Sequence, residues 1–240
     1  MRTIVAIICV ALLMWGESAS AQSPYVLKVS KHRDVDLTTQ ELKKLLARAT
    51  QLLKTKDGAN DVVCNVTFKL DGEIKPFASD RTPAVIRTEE DRDAVHAEAG
   101  DIKFVKAIKS CRNGVSFEGC AWPPQMERKS RSVIIAYPGS DPDLRHIVFA
   151  HEFGHRMGLR HRNERHALMT DCGLTSKNVQ VTADECRCFR SGPGSCEDRP
   201  DPPTDIMKCL MSGKRSSPAS SASAGGPDQP RHLADWFKSR

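Results

Sequence analysis

An α+β chain is what this sequence predicts, and three observations predict it. Apolar residues recur at helical spacing between Leu42 and Leu53. Short apolar or β-branched runs suited to strands fall at 62–70, 102–108 and 132–136. Beyond residue 21 the chain carries eight cysteines, and five of them crowd into residues 159–211. The first two patterns interleave helices with strands around one core; the third gives a small, irregular, disulfide-rich C-terminal lobe.

The elements follow in chain order. Arg2, the apolar run Ile4 to Trp15 and the small residues Ala19-Ser20-Ala21 have the layout of a secretory signal peptide over residues 1–21. The run is short for a membrane span, so no stable membrane insertion is expected and the expected location is secreted or periplasmic. After an extended start from Tyr25 to Ser30, Thr38 or Thr39 caps a helix that reaches about Lys54. Its apolar face is Leu42, Leu45, Leu46, Ala49, Leu52 and Leu53. Val62 to Leu70 alternates as a strand and turns at Asp71-Gly72. Thr88 caps a charged helix, Glu89 to Ala99, which Gly100 ends, and Ile102 to Ile108 is a second strand. Ser132 to Ala136 reads as a strand stopped by Tyr137-Pro138-Gly139. Asp141-Pro142-Asp143 then opens a helix running to about Met157, with carboxylates at its positive end. Residues 22–211 make one domain, divided into an upper lobe (22–158) and a cysteine-rich lower lobe (159–211). The Ser/Ala/Gly/Pro-rich residues 212–240 form a disordered tail.

Charge narrows the partners. Lys+Arg total 36 against 30 Asp+Glu, but the excess of +6 is scattered through mixed-sign stretches, with few aromatics between. A nucleic-acid surface needs clustered cations, so no nucleic-acid partner is expected, and a monomer is. An even set of cysteines in an exported chain implies up to four disulfides. Asn113-Gly114 is a turn signal that would bring Cys111 and Cys120 together. The competing reading makes Cys186 and Cys188 part of a second zinc site; their one-residue spacing and the exported context favour disulfides.

The chemistry concentrates in `HEFGHRMGLRH`, residues 151–161. His151 and His155 are four apart, so on a helix both imidazoles reach one ion. Glu152 is turned about 100° from that line, which suits a general base better than a ligand. His161 joins only if the helix breaks, because six more helical residues would carry it ~9 Å along the axis. Gly158 can supply the break by taking a positive φ. Three neutral imidazoles leave a fourth tetrahedral position for water, as a catalytic zinc requires. His146 reads as a surface or supporting histidine and His166 as a loop histidine. No acidic loop has the spacing of a calcium site.

This pattern resembles the metzincin metallopeptidases. Met169 stands eight residues after His161 within Ala167-Leu168-Met169, wording similar to the matrixin branch. The resemblance implies a metzincin-like fold with a twisted mixed β-sheet and an active-site helix. It also implies that Met169 forms the Met-turn below one Zn2+. The departures are Arg162 directly after the third histidine, Asp171 where some branches place a tyrosine ligand, and no Pro-Arg-Cys-Gly segment upstream.

The expected function is a secreted zinc endopeptidase acting on protein or peptide. His151, His155 and His161 would be the ligands, Glu152 the base, and Ser132 to Ala136 an edge strand that binds substrate by strand addition. Two alternatives use the same residues: a zinc-stabilised binding protein without turnover, and an envelope amidase.

Overall fold

The structure is a computed structural model and describes residues 23–57, 61–111, 118–121, 132–139, 141–170, 173–193 and 196. The expected signal peptide, the tail, Cys172 and Cys209 lie outside the described residues.

The chain opens with β1 (Tyr25–Leu27) and β2 (Val29–Lys31), then α1 (Thr39–Lys54). Thr38 caps α1: its Oγ1 accepts from the Glu41 N–H at 3.2 Å, and Glu41 Oε2 accepts from the Thr38 N–H at 2.8 Å. Next come β3 (Phe68–Leu70), β4 (Lys75–Pro76), β5 (Val85–Ile86) and α2 (Glu89–Ala97), the helix closed by the same reciprocal cap between Thr88 and Asp91. The remaining elements are β6 (Ile102–Val105), β7 (Ala107–Ile108), β8 (Gly119–Ala121), β9 (Val133–Ala136), α3 (Arg145–Arg156) and α4 (Ala183–Ser191).

Five strands form the main sheet in the order β4-β2-β6-β9-β8. The first four run parallel and β8 runs antiparallel to β9, with Cys120 opposite Ile134. The sheet is therefore mixed, and with helices packed on it the architecture is α+β. Every residue of β9 is buried. Val133 and Ile135 join the larger core, where Leu42, Leu46 and Leu53 of α1 meet Phe149 and Phe153 of α3. Ile134 and Ala136 join a smaller core on the other face with Val95, Val105 and Ile108. A strand covered on both faces must be apolar throughout, which is why `VIIA` shows no alternation.

Several expectations need correction. Ser132 to Ala136 is not an edge: β9 lies between β6 and β8, and β8 is the outer strand on that side among the described residues. The strand expected over 62–70 shrinks to β3, because Asn65 takes φ +56° and Cys64 is bonded to Cys186. The run at 102–108 divides into β6 and β7, which pair with different strands. α3 starts at Arg145 rather than Asp141, since Asp141 Oδ1 and its carbonyl turn back onto the N–H groups of Asp143 and Leu144. Within the segment expected to be irregular, α4 is a regular helix capped by Thr182 and Glu185.

Cys111 and Cys120 pair as expected, and Cys64–Cys186 and Cys188–Cys196 are also bonded. Cys186 and Cys188 thus have no thiolates for a second zinc. These bridges suit an oxidising, extracellular setting. Among the described residues no helix is long and apolar enough to cross a membrane.

Candidate active site

α3 presents His151 and His155 on one face, one turn apart. The helix then ends in a Schellman turn. Gly158 takes φ +94°, its N–H donates to the His155 carbonyl at 3.0 Å, and the Leu159 N–H donates to the Gly154 carbonyl at 2.9 Å. A glycine is required on two counts. The φ is left-handed, and a Cβ would sit 3.1 Å from backbone atoms of Cys196.

The reversal returns the chain so that three ring nitrogens converge. His155 Nε2 is 3.1 Å from His151 Nε2 and 3.1 Å from His161 Nε2. His151 Nδ1 lies 2.7 Å from the Leu168 carbonyl and His155 Nδ1 lies 2.8 Å from the Leu159 carbonyl. A carbonyl only accepts, so each Nδ1 is the protonated nitrogen and each Nε2 presents a lone pair. Lone pairs at that separation repel unless a cation lies between them. A tetrahedral zinc with bonds near 2.0–2.1 Å would set its nitrogens roughly 3.3 Å apart, close to what is seen. The three histidines could hold a metal ion, and they suit zinc.

Burial keeps the His151 and His155 rings neutral. Burial pushes His151 down to about 4, with His161 adding to the shift, and burial with both neighbouring rings holds His155 well below the usual histidine range. Glu152 goes the other way: burial raises its carboxyl to about 8, against the backbone N–H of Ala121, which favours the ionised form. A divalent cation nearby would oppose the effect of burial on Glu152.

Glu152 lies against β8. A Cβ on Gly119 would fall 2.6 Å from both Cδ and Oε1 of Glu152, so the missing side chain makes room for the carboxylate. Met169 is fully buried and packs against α3, where a Cβ on Gly154 would collide with its sulfur. Two further histidines lie outside the cluster. His146 lines a groove with Arg48 and Leu52 of α1, and His166 is exposed.

Sequence reading missed β8, with Gly119 and Ala121, and the carbonyls of Leu159 and Leu168 that fix the imidazoles. No local pattern announces these contacts. It also missed Glu185, whose signal was present: Thr182-x-x-Glu185 is a capping box.

A family model described as metallo-peptidase family M12B, reprolysin-like, matches residues 72–162. The match takes in the strands β4 to β9, the helices α2 and α3 and all three histidines, and stops one residue past His161. No curated protein matches the chain. The α+β layout is consistent with a metzincin-like fold, and the reprolysin-like match together with the three-imidazole cluster supports a metzincin-type zinc protease.

Proposed function

We propose that this chain is an exported endopeptidase, secreted or periplasmic, with one zinc held by His151, His155 and His161 and with Glu152 as general base. The observation that carries the reading is the convergence of three Nε2 atoms beside a buried carboxyl group. Zinc, when bound, supplies Lewis acidity, which activates water and polarises the scissile carbonyl. The protein does the rest. Leu168 and Leu159 fix the His151 and His155 tautomers, and Met169 floors the site. Glu152 accepts the proton of the attacking water on a carboxylate oxygen and delivers it to the leaving amine nitrogen. β8, the outer strand of the described sheet, offers backbone groups to an extended peptide in place of β9. The matrixin branch rests on Ala167-Leu168-Met169 alone, whereas the matched family model is reprolysin-like.

A binding protein without turnover would need the three imidazoles but not the space that Gly119 leaves for Glu152. Cleavage therefore fits better than zinc-stabilised binding. The test is zinc-dependent cleavage of an unstructured protein by wild type and by Glu152→Gln. Cleavage should fall at least about 100-fold, the usual share of a general base, while zinc stays near one per chain. Full activity in Glu152→Gln would remove the base. Cleavage confined to small non-peptide amides would favour the amidase.

A further inference from the structure

Two of the three imidazoles ride on a helix, and the third does not. His161 sits on the chain returning from Gly158, where the next residue is Arg162. The Arg162 N–H donates to the Met169 carbonyl at 2.7 Å, and its side chain is mostly buried against α4. Nε lies 3.4 Å from Glu185 Oε1, NH1 lies 3.6 Å from Glu164 Oε2, and NH2 donates to the Gln180 carbonyl at 3.2 Å. Nε makes no aligned hydrogen bond, so its contact with Glu185 is an ion pair rather than a directional bond.

Glu185 is well placed for this because both its oxygens are engaged. Oε2 accepts from the Thr182 N–H at 2.7 Å and from Thr182 Oγ1 at 3.1 Å, which leaves Oε1 facing Arg162. α4 is itself held firmly: Cys186 is bonded to Cys64 and Cys188 to Cys196. The backbone of Cys196 abuts Gly158, and the Phe189 ring lies 3.3 Å from where a Gly154 Cβ would be. One helix thus braces α3, the turn that ends it, and the loop beyond the turn.

We infer that Arg162 and Glu185 are positioning residues for the metal: their buried ion pair ties the loop bearing His161 to α4 and so fixes the third ligand. This rests on the zinc reading above. Outer groups that orient metal ligands commonly account for 10- to 100-fold in metal affinity. An ordinary structural ion pair would leave affinity unchanged once the protein was folded.

The test measures zinc affinity by chelator competition, and the cobalt absorption spectrum, for wild type, Arg162→Met, Glu185→Gln and the double variant. Gln keeps the α4 cap, since glutamine serves at that position, and removes only the charge. The single variants leave a buried charge without its partner and are vulnerable to misfolding. The double variant leaves none, so it is the decisive chain. The expected result is a zinc dissociation constant raised about 10-fold or more in the double variant, little worse than in either single, with an altered cobalt spectrum. The melting temperature of the metal-free double variant should stay close to wild type. An affinity within about twofold of wild type in the folded double variant would overturn the inference and leave the protease reading intact. Wild type that bound no zinc would overturn both.

Discussion

A side chain at Gly119 would collide with Cγ and the carboxyl group of Glu152. The crowding falls on Cγ, Cδ and Oε1 of Glu152 rather than on backbone, so Gly119→Ala should fold, with the Glu152 side chain swung aside. Displacing a reacting group by about 1 Å can cost on the order of 100-fold in rate. Gly119→Ala should therefore lose about that much in kcat while zinc content and melting temperature hold. A variant with full kcat would show that Glu152 does not work from this position. The same scale explains why His151 and His155 make good ligands. Burial lowers their proton affinity, and the carbonyls of Leu168 and Leu159 select the tautomer that exposes Nε2.

At the scale of elements, the end of α3 decides whether a third imidazole arrives. Gly158→Ala puts an L side chain at φ +94° and a methyl 3.1 Å from the Cys196 backbone, which cannot easily retreat because Cys196 is bonded to Cys188. The left-handed conformation alone costs about 1–2 kcal/mol. Chemical denaturation should show at least that loss, with weaker zinc binding; unchanged values in both would contradict the turn's role. Elements of this kind were legible in the sequence because their signals are local. Thr38 and Thr88 mark the helices they cap, and the spacing of His151, Glu152, His155, Gly158 and His161 carries its own geometry. β8 was not legible: Gly119-Cys120-Ala121 has no β-branched residue, and only pairing with β9 makes it a strand. β9 looked like an available edge because an all-apolar run does not say how many neighbours cover it. α4 hid among cysteines and charges, which suggested an irregular lobe although Thr182 and Glu185 cap it in the same way as Thr38 and Glu41.

Across the whole molecule, stability depends on groups far from the three-imidazole cluster. His96, in the last turn of α2, is buried with its Nδ1 2.7 Å from Ser132 Oγ and its carbonyl accepting from Lys103 Nζ. Burial, then the positive charges of Lys103 and Arg92, push it down to about 3. An unfolded chain takes up a proton at His96 near pH 6.5, whereas the folded chain resists until about 3. Folded stability is thus present above pH 6.5 and is lost as the pH falls through that window, by at most about 1.4 kcal/mol per pH unit. Urea unfolding at pH 7, 6 and 5 should show a shallower acid slope for His96→Gln than for wild type. Identical slopes would mean that His96 is not the buried neutral group described.

The convergence of ring nitrogens has one more consequence, visible when a chelator strips the ion. The His155 Nε2 then lies 3.1 Å from the Nε2 of His151 and of His161 with no cation to draw them together. The helical pair cannot retreat, so the arm bearing His161 must give. Stripped enzyme should itself become prey, nicked by an unrelated protease first within residues 159–170, whereas the loaded form survives the same digest. A first cut elsewhere, or equal survival of both forms, would show that the ion is not what keeps that arm closed.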